Sequence, residues 1–346
     1  MLTASPGFAG WMAEQHVSFA VSSYQAGRIF FIGRRADNSL RGHERALEHC
    51  QGICTDGQTL WASSRSMLWR FQNAVPPGKV TQTGADRLFM PREGRVMGGL
   101  DIHDMAVGQM AGMTGSGPIF VATRYNCLAT ISETMSFRPL WRPRFISAIV
   151  HEDRCHLNGM AMSEGTPAYV TAIAASDVAD GWRAQRREGG VLIHVLSGET
   201  VATGLSMPHS PRIWNGRIWL LNSGHGELGW IEPESGRFRP AAFCPGYARG
   251  LAFAGRFAVV GLSRPRGEGT FQGLPLDEQL QRRQETPRCG LLVIDTETGA
   301  ALHWLRFEHT IEELYDVVAM PGVTQAEAIG FRGEDLERLI LPEAMP

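Results

Sequence analysis

Short apolar runs alternate with polar residues along most of the chain, and tight-turn residues separate one run from the next. The clearest example is segment 209–238, where Asn215-Gly216 is a hairpin-turn signal and Ser235-Gly236 marks a second tight turn. This pattern predicts three or four antiparallel strands in succession. One such sheet cannot bury both of its faces alone, so we expect further copies that pack against it.

The same layout begins at six places, each with a short apolar strand that we expect to be the innermost strand of a sheet. The residues at equivalent positions of these strands are Gln51, His103, Asn158, His209, Arg249 and Tyr315. They follow one another at intervals of roughly 40 to 66 residues, close to the ~40–50 residues of a propeller blade with insertions. With almost no helical periodicity between them, the chain is predicted to be an all-β, six-bladed β-propeller that forms a single domain over residues 1–346.

Both ends of the chain are predicted to close the propeller. Segments 16–24 and 28–33 have the pattern of two strands without an inner strand before them, whereas the segment that starts at Tyr315 resembles an inner strand without a full blade after it. Pairing of the two ends completes the sixth blade and removes an open sheet edge. Residues 1–15 are interpreted as a loose lead-in, and the tail 332–346 as a surface helix.

Three longer stretches interrupt the strand pattern. Residues 86–99 are rich in Arg, Gly and Pro and are predicted to be a loop, and blades three and five carry insertions at 174–190 and 263–288. In an antiparallel blade, the start of the inner strand and the connection from the second to the third strand lie on the same face. The six equivalent residues should therefore surround one mouth of the central channel, with both insertions above it as a lid.

Composition excludes several classes of function. The chain has 33 basic and 35 acidic residues and a formal net charge of −2, so no global positive field would attract nucleic acid. No apolar run reaches the ~18 residues of a membrane span, and the N-terminus lacks the features of an export signal. The six cysteines contain no C-x-x-C pair, which favours reduced thiols and a cytoplasmic location.

Histidines at the predicted mouth are candidate metal ligands. His103 and His209 belong to the six equivalent residues, and strand alternation should turn His156 to the same side as Asn158. Together with Gln51, these imidazoles have the chemistry to hold a divalent transition metal, namely Fe, Mn or Zn. The alternative is that His103 and His209 cap their strands by bonding backbone groups.

Arginines near the mouth are candidates for anchoring an anionic substrate, because a guanidinium binds carboxylate or phosphate groups bidentately. Arg249 belongs to the six equivalent residues, and Arg65, Arg124 and Arg264 lie on connections expected to overlie the mouth. The alternative is a set of solvated loop arginines.

Three further residues are candidates for contact with a substrate. Tyr315 is a candidate general acid or base, although a tyrosine at this position can equally serve to close the channel. Asn158 would face the substrate from its inner strand, and Trp182 would cover it from the polar insertion. Arg264 is expected to turn inward from the other insertion.

Two aspartates directly follow residues of the equivalent set. Asp104 comes after His103, and Asp316 comes after Tyr315. A carboxylate at this position of an inner strand is well placed to accept hydrogen bonds from backbone amides of the neighbouring blade. We therefore predict a structural role for both.

Five segments, taken together, are similar to the motifs of a known protein family. They are the segments 100–104, 155–161, 189–193, 204–212 and 249–253. Over nearly its whole length the chain resembles a bacterial family of conserved proteins of unknown function that is described as propeller-like, which implies the fold and no activity. A weaker, architectural likeness to propeller enzymes with an axial metal implies histidine ligands, as in carotenoid oxygenases, or histidine and glutamine ligands, as in oligogalacturonate lyases.

Two functions are open at this point. The first is a metal-dependent enzyme that acts on a small anionic or peptide-like substrate at the channel mouth, by lyase or isomerase chemistry or as an oxygen-activating centre. The second is a non-catalytic propeller that binds a protein or peptide partner on the looped face. An exposed apolar patch on the loops would favour the second function, whereas a narrow, charged, histidine-lined pit would favour the first.

Overall fold

The structure is a computed structural model that describes residues 2–264, 272–308, 311–331, 334–338, 340 and 342. Over these residues, six largely antiparallel sheets surround a central channel as the blades of a β-propeller. This arrangement confirms the predicted fold class.

The chain begins with a mixed segment and then forms its first two complete blades. The N-terminal segment comprises β1 (Leu2–Ala4), α1 (Phe8–Glu14), β2 (Val17–Ser23), β3 (Arg28–Arg34) and β4 (Leu40–Ala46). Blade 1 comprises β5 (Ile53–Thr55), β6 (Thr59–Ser63), β7 (Met67–Asn73) and β8 (Arg87–Val96). Blade 2 comprises β9 (Ile102–Gly108), β10 (Gly117–Ala122), a 3-10 turn (Thr123–Tyr125), β11 (Cys127–Thr130) and β12 (Arg138–Trp141).

Blades 3 to 5 and the C-terminal segment follow. Blade 3 comprises β13 (Leu157–Ser163), β14 (Thr166–Ala172), α2 (Trp182–Gln185), β15 (Gly190–His194) and β16 (Thr200–Leu205). Blade 4 comprises β17 (Pro208–Trp214), β18 (Arg217–Asn222), β19 (Glu227–Ile231) and β20 (Phe238–Phe243). Blade 5 comprises β21 (Tyr247–Ala254), β22 (Phe257–Ser263), α3 (Pro275–Arg283), β23 (Gly290–Asp295) and β24 (Ala301–Phe307). The C-terminal segment comprises β25 (Val317–Pro321), β26 (Ala326–Ala328) and α4 (Glu334–Arg338).

The two ends of the chain close the propeller as predicted. β25 is the inner strand of blade 6 and pairs antiparallel with β2, with Phe19 opposite Ala319, and β3 and β4 complete that blade. Each end also extends another blade, because β1 pairs with β24 in blade 5 and β26 pairs in parallel with β8 in blade 1. In the tail 332–346 the structure describes α4 and two further residues, and the rest of that predicted helix lies outside the described residues.

Most of residues 2–15, predicted to be a loose lead-in, form the strand β1 and the helix α1, which corrects that prediction. Helix α1 buries Phe8, Trp11 and Met12 against blades 5 and 6. Trp11 stacks on Phe19 with the ring centroids 6.0 Å apart. Large apolar side chains in this segment therefore belong to the core.

The stretch predicted to be a loop at 86–99 contains the ten-residue outer strand β8. Pro91 lies at a register shift in the ladder with β7. The ladder is already interrupted there, so the missing backbone N–H of proline costs little hydrogen bonding. At Gly94 the absence of a side chain lets Trp69 pack on the strand, since a Cβ there would lie 2.5 Å from the ring. The Pro and Gly content misled the prediction because an outer strand tolerates both residues.

At every second junction between neighbouring blades, the residue directly after one of the six equivalent residues accepts a hydrogen bond from a backbone amide of the next blade. The contacts are Asp104 Oδ2 with Met160 N at 3.0 Å, Ser210 Oγ with Gly250 N at 3.0 Å and Asp316 Oδ2 with Ile53 N at 3.1 Å, the amide donating in each case. The other three blades have glycine at this position (Gly52, Gly159 and Gly250). A Cβ on Gly159 would lie 2.3 Å from Pro211 Cδ, so the alternation is also steric. The structural role predicted for Asp104 and Asp316 is confirmed.

The two insertions pack against each other on the face where the inner strands begin. Leu276 and Leu280 of α3 are buried in one cluster with Trp182 of α2 and with Tyr247 at the start of β21. Residues 265–271 of the longer insertion lie outside the described residues. The described parts of both insertions therefore stand on the side of the channel predicted for a lid.

Candidate functional site

One cavity of about 630 Å³ opens where the inner strands begin, and we call it the histidine mouth. Two rings of six residues surround it. The channel ring consists of the equivalent residues Gln51, His103, Asn158, His209, Arg249 and Tyr315. The rim ring consists of the residues two positions earlier, namely His49, Asp101, His156, Met207, Tyr247 and Glu313. All of these line the cavity except Asn158, Tyr247 and Glu313.

Four rim-ring residues from successive blades adopt a left-handed backbone conformation that non-glycine residues rarely take. They are His49 (φ 56°), Asp101 (φ 59°), His156 (φ 51°) and Met207 (φ 48°). The left-handed turns accompany two matching contacts: Nδ1 of His103 lies 2.9 Å from the Asp101 carbonyl oxygen, and Nδ1 of His209 lies 2.8 Å from the Met207 carbonyl oxygen. Backbone strain of this kind is often found at functional sites, where the surroundings hold it in place.

The imidazoles of His103 and His209 are neutral and carry a lone pair on Nε2. A carbonyl oxygen only accepts hydrogen bonds, so the proton of each ring is on Nδ1. Burial lowers the pKa of His103 to about 4, and burial together with the charge of Arg249 lowers the pKa of His209 well below its usual value. The predicted alternative, in which these residues bond backbone groups, is confirmed for Nδ1. Neither Nε2 bonds to another described residue.

His156 is anchored in a different way. Its Nδ1 lies 2.6 Å from the carboxylate oxygen Oδ2 of Asp153. Its ring lies against Trp182, with centroids 4.3 Å apart and an angle of 34°, and meets His103 edge to face at 4.8 Å. His156 precedes β13, so a left-handed turn brings it to the cavity rather than the strand alternation that the sequence suggested.

Arg249 is held at the wall of the cavity by a buried acid and three phenol rings. Its Nη1 lies 3.6 Å from Glu313 Oε1, which also accepts a 2.8 Å hydrogen bond from the Tyr24 hydroxyl. Its Cζ lies 5.8, 4.9 and 5.0 Å from the ring centroids of Tyr24, Tyr247 and Tyr315. Because cation–π contacts and a buried counter-charge act together, the guanidinium is fixed in one position.

Tyr315 brings a hydrogen-bond donor to the same cavity. Its ring meets His103 edge to face with centroids 5.3 Å apart. Burial raises the pKa of the phenol well above its usual value, so the hydroxyl keeps its proton at neutral pH. The hydroxyl oxygen is buried and has no hydrogen-bond partner within the part of the chain that the structure describes.

The predicted anion-binding arginines separate into two groups. Arg124 lines the cavity beside Arg249, and its exposed guanidinium forms no hydrogen bond or ion pair with another described residue. Arg65 instead donates to Glu48 at 2.6 Å on the exposed surface, and neither it nor Arg264 is part of the described lining.

Two channel-ring amides have partners within the protein. Asn158 is buried, donates through Nδ2 to the Pro208 carbonyl at 2.9 Å and accepts from Thr171 Oγ1 at 2.8 Å, so its side chain joins strands rather than facing the cavity. Gln51 lines the cavity and donates through Nε2 to Asp101 Oδ1 at 2.7 Å.

No group of three or more His, Cys, Asp or Glu side chains close enough to share a metal ion occurs within the described residues. A metal held by His103, His156, His209 and Gln51 therefore stays a prediction. A site that used all three imidazoles would require their ring nitrogens to move closer together.

Several residues of this site were not singled out from the sequence. They are Asp153, Arg183 and the rim-ring residues His49, Asp101, Tyr247 and Glu313. The rim ring follows from the same repeat, because each member stands two residues before a channel-ring residue. The contacts of Tyr24 and Glu313 have no such signal, since these residues lie 289 positions apart in the chain.

Fold and site together define a six-bladed β-propeller with a histidine- and arginine-lined mouth. Residues 6–329 match the family described as "Domain of unknown function (DUF4915)". The chain belongs to this family. The resemblance inferred from the motifs, to a propeller-like family of unknown function, is thereby confirmed.

Solved structures match the chain at low sequence identity. A chain in the crystal structure of a Nidogen/Laminin complex matches with a TM-score of 0.53 and 10% identity, covering 88% of this chain and 99% of that one. A protein of unknown function from Bacteroides caccae matches with a TM-score of 0.40 and 10% identity, covering 88% and 98%. No curated protein matches the chain. None of the described helices is long and apolar enough to span a membrane.

Proposed function

We propose that the protein is an enzyme that binds a small anionic molecule in the histidine mouth and acts on it there. The observation that carries this proposal is the convergence of a buried guanidinium, imidazole lone pairs and a protonated phenol on one cavity of about 630 Å³. A concave site of this size with a few convergent polar groups is typical of small-molecule binding.

Two arginines support the anionic character of the substrate. Arg249 is fixed in position by its surroundings, and the guanidinium of Arg124, at the edge of the cavity, is paired with no acid among the described residues. Three carboxylates of the cavity wall have partners of their own, as Asp101 accepts from Gln51, Glu152 pairs with Arg154 at 2.8 Å and Asp180 pairs with Arg183 at 2.9 Å. An incoming carboxylate or phosphate would therefore meet cationic groups.

The imidazoles support the rest of the substrate's chemistry. Lone pairs on His103 Nε2 and His209 Nε2 accept hydrogen bonds, so they favour hydroxyl or amino groups on the bound molecule. The same lone pairs are ligands for a divalent transition metal, and the bond from Nδ1 to an oxygen acceptor is the usual support of a metal-binding histidine. A bound Fe, Mn or Zn ion is accordingly our second candidate for the partner of His103 Nε2 and His209 Nε2.

Binding is tested by a thermal-shift and calorimetric screen of small carboxylates, hydroxycarboxylates and sugar phosphates. We expect at least one class to raise the unfolding temperature and to lose at least about tenfold in affinity in Arg124→Gln, because a charged hydrogen bond is worth about 1.5–3 kcal/mol. Arg65→Gln is the matched control, since Arg65 lies outside the cavity lining. Equal loss in both variants, or no binding by any class, would contradict the proposal.

The metal is tested by elemental analysis of protein purified from medium supplemented with iron, manganese and zinc. A bound metal should be close to stoichiometric and should be lost in His209→Ala but retained in His225→Ala, a histidine outside the cavity lining. Substoichiometric metal in the unaltered protein would contradict the proposed metal site and would leave the anion-binding proposal unaffected.

Binding of a protein or peptide partner on the looped face stays a prediction. The insertion 174–190 has one large apolar side chain that is well exposed, Val178, which is 68% exposed. A single side chain falls short of the several hundred Å² that mark an interaction patch.

A further inference from the structure

The three imidazoles of the histidine mouth differ in the group that holds Nδ1. For His103 and His209 that group is a backbone carbonyl, at 2.9 and 2.8 Å. The nearest carboxylate oxygen to His103 Nδ1, Asp101 Oδ1, lies further away at 3.7 Å and already accepts a hydrogen bond from Gln51 Nε2. For His156 it is the Asp153 carboxylate, at 2.6 Å. All three rings leave Nε2 without a hydrogen bond to another described residue, so the anchors are what distinguish them.

The anchor decides whether an imidazole is suited to take up a proton. A neutral carbonyl fixes the tautomer but gives little stabilisation to the imidazolium that forms when Nε2 is protonated. A carboxylate on Nδ1 fixes the same tautomer and also stabilises the imidazolium, because the two groups then carry opposite charges. Among these three residues, His156 is therefore the one prepared to act as a base.

The Asp153–His156 pair is also held rigidly at the cavity. The side chains are 16% and 14% exposed, so the pair is shielded from water while it still lines the cavity. The Trp182 ring covers one face of the imidazole at 4.3 Å, and the His103 ring meets it at 4.8 Å. The second carboxylate oxygen, Asp153 Oδ1, is buried and has no hydrogen-bond partner in the described part of the chain.

We propose that the Asp153–His156 pair is the proton-transfer element of the histidine mouth. His156 Nε2 removes a proton from an O–H or C–H group of the bound anion, so that this bond breaks, its electron pair stays on the substrate and a new N–H bond forms. The imidazolium keeps its Nδ1–H bond to Asp153, which remains ionised, and later returns the proton to the substrate or product. His156 is the catalytic residue in this step, and Asp153 is a positioning residue.

This inference rests on the proposed function for its substrate, and its test is chosen to be independent of any substrate. Diethyl pyrocarbonate acylates neutral imidazole nitrogens, and mass spectrometry of peptides reports the rate at each histidine of the intact protein at pH 7.5. We expect His156 to react at least about tenfold faster than His103 and His209. Asp153→Asn should slow the reaction at His156 about tenfold or more, and Asp153→Glu should restore part of the rate.

Asp37→Asn is the matched control, because Asp37 lies in an exposed turn between β3 and β4. Thermal unfolding of every variant shows whether it folds, and Asp153→Ser replaces Asp153→Asn if the latter does not. If His156 reacts no faster than the other two histidines, or if Asp153→Asn leaves its rate unchanged, the inference is wrong.

Two results separate this inference from the proposed function. Slower acylation in Asp153→Asn without any anion binding would overturn the proposed substrate and keep the reactive pair. Anion binding, together with an acylation rate at His156 that Asp153→Asn leaves unchanged, would keep the proposed substrate and overturn the reactive pair. For a reaction found with a bound anion, His156→Gln should lower kcat about 10²–10⁴-fold with little change in KM, as expected for loss of a general base.

Discussion

The two mouths of the channel are formed by the same six inner strands and have opposite chemical characters. The histidine mouth, at the start of the strands, presents imidazole, guanidinium and phenol groups. The other mouth, of about 340 Å³, is surrounded by residues further along these strands, mainly Ile53, Met105, Met160, Met162, Trp214, Leu251, Phe253 and Val317, and we call it the apolar mouth. The described parts of both insertions leave the blades at the histidine mouth, whereas short turns such as Asn215-Gly216 and some longer connections, such as 74–86, lie at the other end of the strands. The difference supports the proposal that a small molecule binds at the histidine mouth.

An ion cluster lies between the two mouths. Arg212 donates two hydrogen bonds to the Asp104 carboxylate, from Nη1 to Oδ2 at 2.8 Å and from Nη2 to Oδ1 at 3.2 Å. Its Nη2 also lies 3.7 Å from Asp316 Oδ1. One guanidinium thus faces two buried carboxylates. Burial, reinforced by the charge of Asp104, raises the pKa of Asp316 to about 7. The cluster below the channel ring therefore holds a proton up to near-neutral pH.

The largest effect expected from a single change is at this cluster. Arg212→Met leaves two carboxylates buried without their shared cation, and removal of one partner of a buried ion pair costs about 3–5 kcal/mol. Unfolding in urea should show a correspondingly lower free energy of unfolding. Arg28→Met is the control, because the Arg28–Glu44 pair is 41% and 52% exposed and should contribute about 0–1 kcal/mol. Equal losses of stability in both variants would show that the ion cluster stabilises the fold no more than an exposed ion pair does.

The next effect concerns the wall that distinguishes the histidine mouth. Leu276 of α3 is 1% exposed and packs in the cluster with Trp182 and Tyr247, so Leu276→Ala should cost about 2–4 kcal/mol and weaken anion binding. Leu196→Ala, at a position 91% exposed, should change neither. If Leu276→Ala leaves both stability and binding intact, the longer insertion is only a surface loop that takes no part in the wall.

The smallest effect is in the pH dependence of stability, to which the ion cluster and the histidine mouth should contribute with opposite signs. The folded-state pKa of Asp316 is raised, so its favourable contribution is present at low pH and is lost as pH rises from about 4 to about 7. The folded-state pKa of His103 is lowered to about 4, so its favourable contribution is present above 6.5 and is lost as pH falls towards 4. In the intact protein the two terms oppose each other.

Single variants should separate the two terms. Relative to the intact protein, Asp316→Asn should gain stability as pH is raised from 5 to 7.5, and His103→Gln should lose stability over the same range. Each change should amount to about 1–2 kcal/mol, given at most about 1.4 kcal/mol per pH unit for one group. Urea unfolding at four pH values measures both slopes. Slopes of the same sign would contradict the opposite titration behaviour assigned to Asp316 in the ion cluster and to His103 in the histidine mouth.

Much of this architecture was accessible from the sequence. The hairpin at Asn215-Gly216 has φ values of 47° and 73° at its two central residues, as the predicted turn requires. The spacing from Gln51 to Tyr315 located all six inner strands, and the missing strand of the last blade was found at the other end of the chain. Local turn chemistry and strand alternation are properties of short segments, so they survive without knowledge of the neighbours.

The sequence by itself therefore determined the number of blades, the closure and the face on which His103, His209 and Arg249 meet. Only the tertiary structure decided what these side chains do. It gave His103 and His209 carbonyl anchors and His156 a carboxylate, and it brought Glu313 behind Arg249. These details depend on left-handed backbone conformations that are uncommon for any non-glycine residue and on contacts between residues remote in the chain. They arise only when six separately formed sheets close around one axis.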